Sequence, residues 1–394
     1  MLLTAGRLDS SKRELIKIAT IDQFTFGDRD KAIRAMIELV VTCPEFHGTN
    51  LASNSATVRE RIVDTVKSER PYKAVVFFMF YGGMDSYNLL VPKCAAMYSQ
   101  YLEVRGPQLA LSQRELLSLS AAGTGQPCDT FGVNSKFPFA KELYAQGEAL
   151  FFANTGVLEA PVDKRNYTLT NSKLFAHNHQ QKEVMKMDIN KEFRNTGVGG
   201  RLLDTLKRNG YKTSANSVDR QALLVTGSPL DNNPVRMVTS GYSRDFNRYP
   251  TFAHIADRVV QLNGASDRSS NSVFGETWSE RLIQSFQENE EMLNISRSKE
   301  FTVDRFHRHE SWLDRRFRAI AQFMKARESR NVDRDVFILG EGGFDMHHGN
   351  HLEGKLVYID RSLRGFKKEM QAQGLWESVV IVTGSDFGRT LVPN

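Results

Sequence analysis

The chain has 394 residues, of which 40% are hydrophobic and 25% charged, and its formal net charge is +6. This is an ordinary soluble globular composition, with length enough for two or three domains. The basic residues are scattered along helical stretches such as Arg315-Arg316-Phe317-Arg318. That pattern suits a solvated helix face rather than a nucleic-acid partner, and no stretch approaches the ~18 apolar residues of a membrane span.

Three cysteines, Cys43, Cys94 and Cys128, show no CxxC spacing and no even count. They argue against a disulfide scaffold and against a thiolate zinc site. The first residues carry no apolar signal core. The expectation is that the protein stays inside the cell or that its true N-terminus lies further upstream.

In chain order, two amphipathic helices are expected over about residues 10–20 and 28–42. In the second, Ala32, Ile33, Met36, Ile37, Val40 and Val41 recur at helical spacing and Pro44 follows. Residues 48–70 are polar and read as a linker, so residues 1–47 form a helical tail of a preceding domain. From Pro71, short apolar runs alternate with helical stretches. Strands are expected at Ala74–Tyr81, Ala149–Asn154, Ala222–Thr226, Val336–Leu339 and Val379–Val382. Helices are expected at 136–147, 199–208, 251–262, 275–328 (broken) and 351–372. The alternation predicts a doubly wound, mainly parallel α/β sheet with helices on both faces over residues 71–394.

Four of these strands run straight into turn residues with chemistry nearby. The segments are Tyr81-Gly-Gly-Met-Asp-Ser-Tyr-Asn88, Ala153-Asn-Thr-Gly156, Gly342-Gly-Phe-Asp-Met-His-His348 and Thr383-Gly-Ser-Asp-Phe-Gly-Arg-Thr390. In a parallel sheet they share one edge, where ligands bind. Asp345, His347 and His348 would then stand at the rim of a cleft, and carboxylate plus imidazole suits a divalent metal. Asp85 and Asp386 are the best partners for Asp345 and His347. The competing readings are a polar loop, a turn aspartate capping the next helix at Asp85, and an Asp386–Arg389 salt bridge. Arg389 could instead clamp a substrate anion.

In Phe175-Ala-His-Asn-His-Gln-Gln181, His177 and His179 would point to different helix faces, so only one could readily serve the site. Ser86 and Ser172 are the nearby hydroxyls, and neither has a base beside it in sequence. His307 and His309 read as surface residues of a basic helix. Gly82-Gly and Gly342-Gly lack both the GxGxxG spacing and the Walker lysine, which disfavours nucleotide binding.

Together with Ala-Asn-Thr-Gly-Val-Leu and Leu174-Phe-Ala-His-Asn-His-Gln-Gln, these motifs resemble the domain-of-unknown-function family fifteen-oh-one. That family is a branch of the alkaline phosphatase and sulfatase superfamily, and the likeness covers about residues 71–394. It implies hydrolysis of small anionic phosphate or sulfate esters with one or two divalent ions (zinc, manganese, magnesium or calcium). Asp85, Asp345, His347 and Asp386 look like metal ligands. Ser86 is the candidate nucleophile by adjacency, and His177 or Arg389 would contact the substrate anion. Phe387 stands where the superfamily has a histidine, and Asn394 comes before the family's Gly-Thr-Asp-His-Gly motif. The chain is therefore expected to be a fragment short of one ligand. The alternative is a non-catalytic binding or envelope-assembly protein on the same fold. Gly6-Arg-Leu-Asp and Thr42-Cys-Pro-Glu-Phe-His47 resemble the tail of a second family, numbered eighteen hundred, which suggests that family as a partner or fused domain.

Overall fold

A computed structural model describes residue 4 and residues 7–24, 27–47, 66–170, 172–190, 192–193, 195–218, 222–231, 234–238, 255–263, 273–297, 311–347 and 352–392. The linker up to residue 65 and His307, His309 and His348 lie outside the described residues. The chain divides into two units, residues 1–66 with 242–298 and residues 67–241 with 299–394.

The first unit is helical. α1 (Ser10–Phe24), α2 (Arg29–Thr42) and the short α3 (Pro44–His47) share it with α8 (Ala256–Asn263) and α9 (Val273–Arg297). Asp28 starts α2 by accepting a bond from the Lys31 N–H at 3.1 Å, which satisfies a helix-end donor. The helical spacing of apolar residues then turns Ala35, Leu39 and Val40 onto Ile16 and Ala19 of α1 and onto Ile255, Val259 and Leu262.

The second unit is mixed α/β. Its main sheet has the order β6-β5-β7-β1-β8, with every pairing parallel. The strands are β1 (Lys73–Phe80), β5 (Thr213–Val218), β6 (Val235–Val238), β7 (Arg334–Glu341) and β8 (Val379–Ser385). β2 (Leu90–Pro92), β4 (Thr130–Asn134) and β3 (Leu116–Ser120) form a small antiparallel sheet. The helices of this unit are α4 (Ala95–Arg105), α5 (Pro138–Ala145), α6 (His177–Lys186), α7 (Val198–Arg208), α10 (Trp312–Lys325) and α11 (Leu352–Ala372).

β1 is apolar on both sides because both sides are covered. Phe77 and Met79 face one way, with Ile338 and Val336, onto Leu203 of α7 and Met185 of α6. Phe78 faces the other way, its ring 5.5 Å from Phe317 of α10, which in turn lies 5.1 Å from Phe366 of α11. Helices on both faces are what an all-parallel sheet requires. Each of these fully buried side chains stabilises the fold by about 1.5–3 kcal/mol of transfer free energy.

Two expected strands are absent. Ala149–Asn154 is irregular chain with Leu150 and Phe152 exposed, and Leu223–Val225 is a 3-10 turn. The cysteines also differ from expectation, because Cys94 and Cys128 form a disulfide with Cα atoms 5.7 Å apart. Their sequence separation of 34 gave no sign of it. Folding of the antiparallel sheet region brings the two together. Among the described residues no helix is long and apolar enough to cross a membrane.

Candidate functional site

β7, β1 and β8 are neighbours in the sheet and run parallel, so Glu341, Phe80 and Ser385 end on the same edge. The chain beyond them is laced together by its backbone. The Tyr81 N–H donates to Glu341 O at 2.8 Å, and the Phe344 N–H returns to Tyr81 O at 3.2 Å. The Met84 N–H donates to Ser385 Oγ at 2.8 Å, and that hydroxyl donates to Phe80 O at 2.7 Å. Gly82 stands at φ +117°, where a Cβ would lie 2.5 Å from the Asp345 backbone nitrogen. Only glycine permits that approach.

Asp386 is the buried anchor of this edge, with a side chain 0% exposed. Its Oδ2 accepts from the Gly82 N–H at 3.0 Å, from Gln181 Nε2 at 3.0 Å and from His177 Nδ1 at 2.8 Å. Its Oδ1 is buried and accepts from no described residue. With Nδ1 turned to Asp386, the other nitrogen of His177 faces Asp345 Oδ1 at 3.6 Å. His347 Nε2 lies 3.1 Å from the same oxygen. Arg389 also bonds that oxygen, and it donates to Gly82 O at 3.0 Å. The Arg389 bond holds the Asp345 carboxyl below the usual carboxylate range, with smaller help from the nearby His177 and His347. Phe387 fills the space that Gly83 leaves by lacking a Cβ, and its ring stacks on His177 with centroids 4.8 Å apart.

Residues 286–394 match the family described as protein of unknown function (DUF1501). No curated protein and no solved structure matches the chain. The stretch that matches DUF1501 contains Asp345, His347, Asp386 and Arg389. Asp85, Ser86 and His177 come from the chain before it.

Asp345, His347, His177, Asp386 and Arg389 thus meet at one place. Asp85 is engaged differently, by an ion pair with Arg105 at the end of α4. Burial pushes its carboxyl up, and Arg105 opposes that shift. Ser86 lies at the same edge, its Oγ 2.7 Å from where a Cβ on Gly388 would be. Among the described residues no three His, Cys, Asp or Glu side chains form a ready-made metal set. The donor chemistry around Asp345 nevertheless fits a cation. A carboxylate oxygen with imidazole nitrogens at 3.1 and 3.6 Å is a donor set that a divalent cation could use, and here Arg389 is the cation that bonds that oxygen.

Sequence reasoning missed Gln181 and Arg105. Gln181 follows His177 by one helical turn of α6, so an i, i+4 reading of that motif would have put both on one face. Arg105 had no local signal, because its partners lie at Asp85 and at Thr390 and Leu391.

Proposed function

We propose that the chain is a metal-dependent hydrolase of phosphate or sulfate esters, of the alkaline phosphatase and sulfatase type, centred on Asp345. What supports this reading is the approach of His177 Nε2 and His347 Nε2 to one Asp345 oxygen, at 3.6 and 3.1 Å. Asp345, His347 and His177 would hold a divalent ion, and mixed nitrogen and oxygen donors suit zinc or manganese better than magnesium or calcium. Such an ion, when bound, lowers the pKa of a water or hydroxyl and offsets negative charge on the ester oxygens. Asp386 fixes the ring plane of His177 through Nδ1, the carboxylate–histidine arrangement that orients a ligand nitrogen. Arg389, freed from Asp345, presents its planar fork to the oxygens of the ester anion. Phe387 shields the other face of the His177 ring. Ser86 provides a hydroxyl at this edge. Asp85 has no ligand role in this reading, because its pair with Arg105 is largely buried, whereas Asp345 is half-exposed.

The second reading, a non-catalytic binding or envelope-assembly protein on the same fold, rests on a specific observation. Both Asp85 and Asp345 already carry an arginine partner. Titration calorimetry with Zn2+ and Mn2+, run beside hydrolysis of p-nitrophenyl phosphate and p-nitrophenyl sulfate, separates the two. The hydrolase reading expects binding of at least one ion, weakened roughly 10- to 100-fold or more in Asp345→Ala, and metal-dependent turnover of one ester. Arg389→Gln should bind the ion more tightly and turn over more slowly, since it loses both a competing cation and the anion clamp. If neither ion binds and neither ester is cleaved with metal added, the hydrolase reading is lost and the binding protein stands.

A further inference from the structure

The Cys94–Cys128 disulfide sits at one end of a helix whose other end bonds two of the chain segments that carry the candidate site. Cys94 is the residue before α4, and Cys128 is a buried residue in the connection between β3 and β4. α4 spans 11 residues, roughly 16 Å of helix. Its last residue, Arg105, has a side chain only 3% exposed. That guanidinium bonds Asp85 in the chain after β1, and it donates to the carbonyls of Thr390 at 3.3 Å and Leu391 at 3.4 Å after β8. One buried cation therefore ties together two of the three segments that build the site. A buried arginine and its carboxylate cannot separate cheaply, since each alone would be an unpaired charge away from water. Where α4 goes, the Asp85 loop and the Thr390–Leu391 segment must follow.

We propose that the Cys94–Cys128 bond is a redox-responsive clamp on the candidate site. Intact, it pins the start of α4 to the β3–β4 connection and so fixes Arg105 on Asp85, Thr390 and Leu391. Reduction by a dithiol opens it. A thiolate of the reductant attacks one protein sulfur and breaks the S–S bond, releasing the other cysteine as a thiolate. The second thiol then attacks the reductant's sulfur in the mixed disulfide and releases the first cysteine. The protein gains two electrons and two protons as two thiols, and the dithiol leaves as a cyclic disulfide. α4 is then held by non-covalent contacts alone, such as Tyr101 Oη to Asn88 Oδ1 at 2.8 Å, and Arg105 loses its fixed position. The clamp acts whatever ligand the site takes.

Hydrogen exchange read by mass spectrometry on the full chain tests this, with and without dithiothreitol. Reduction should raise exchange about ten-fold in peptides covering residues 82–88 and 386–392, while peptides from β5 and β7 stay protected. Cys128→Ser should show the raised exchange without reductant and no further response to it. Arg105→Gln should raise exchange in the same two peptides with the bond intact. Cys43→Ser, which removes the buried free thiol, should respond to dithiothreitol like the unaltered chain. Faster exchange confined to residues 94–130 would overturn the proposal. So would loss of protection throughout the second unit, since the bond would then be a general staple; the reduced unaltered chain decides the matter even if Cys128→Ser fails to fold.

Discussion

A methyl group at Gly82 would stand 2.5 Å from the Asp345 nitrogen, at a φ of +117° that side chains rarely adopt. The same residue donates its N–H to Asp386 and accepts from Arg389 through its carbonyl. Gly82→Ala should therefore cost about 2–4 kcal/mol, from backbone strain plus overpacking. A urea midpoint falling with an unchanged slope would show it, and a cost under about 0.5 kcal/mol would mean the loops have room to part. Asp345 carries a pH signature of its own. Arg389 lowers its folded pKa, so the ion pair contributes full stability above the ordinary carboxylate value of about 3.9. That contribution disappears as pH falls through the lower folded value. The side chain is half-exposed, which keeps the effect on stability small. A carboxyl 13C titration should place the Asp345 midpoint below the ordinary range and return it there in Arg389→Gln. An ordinary midpoint in the unaltered chain would remove the Asp345–Arg389 pair from the site.

β5 shows at the scale of an element what apolar patterning reports. Thr-Ser-Ala-Asn-Ser-Val has no apolar run and is not among the expected strands, yet it pairs with both β6 and β7 and is largely buried. Its polar side chains are buried with partners. Asn216 donates to Asp335 Oδ1 at 2.8 Å, and Arg330 bonds both Ser214 Oγ and Asp335. The opposite error occurs at Leu223–Val225, where an apolar run is buried but coiled as a 3-10 turn, and at Phe152, which is apolar and 78% exposed. Apolar runs located β1 and β7, which are largely buried, and also β8, an edge strand whose Val380 and Val382 are exposed. Asp345, His347, Asp386 and Arg389 were legible because glycines mark where strands end. The partners Arg105 and Gln181 depend on long-range packing that no local pattern encodes. The polar network of β5 carries a testable energy. Arg330 and Asp335 are 2% and 0% exposed in their side chains, so Asp335→Ala breaks a buried ion pair by removing one partner. The expected loss is about 3–5 kcal/mol in denaturant unfolding. A loss below about 1 kcal/mol would mean water reaches Arg330 and the network is not closed.

Over the whole molecule, the two units each have a core of their own, and their segments alternate along the chain, with residues 242–298 of the first unit inserted between 67–241 and 299–394 of the second. Cores that share no side chains are free to melt separately, so calorimetry should resolve two transitions instead of one. Leu39 is 0% exposed in the core of the first unit. Leu39→Ala should lower one transition, by the equivalent of about 2–5 kcal/mol, and leave the other in place. Cys43 gives an independent reading of which unit has opened. It is the free cysteine, it lies in the same core as Leu39, and burial pushes its thiol up to about 12, which keeps it unreactive while the core is closed. Alkylation of Cys43 in increasing urea should follow the transition that Leu39→Ala shifts, whereas Asp335→Ala should leave the labelling curve unmoved. If Asp335→Ala shifts Cys43 labelling as far as Leu39→Ala does, the two cores unfold as one cooperative body. The division would then be one of packing and not of stability.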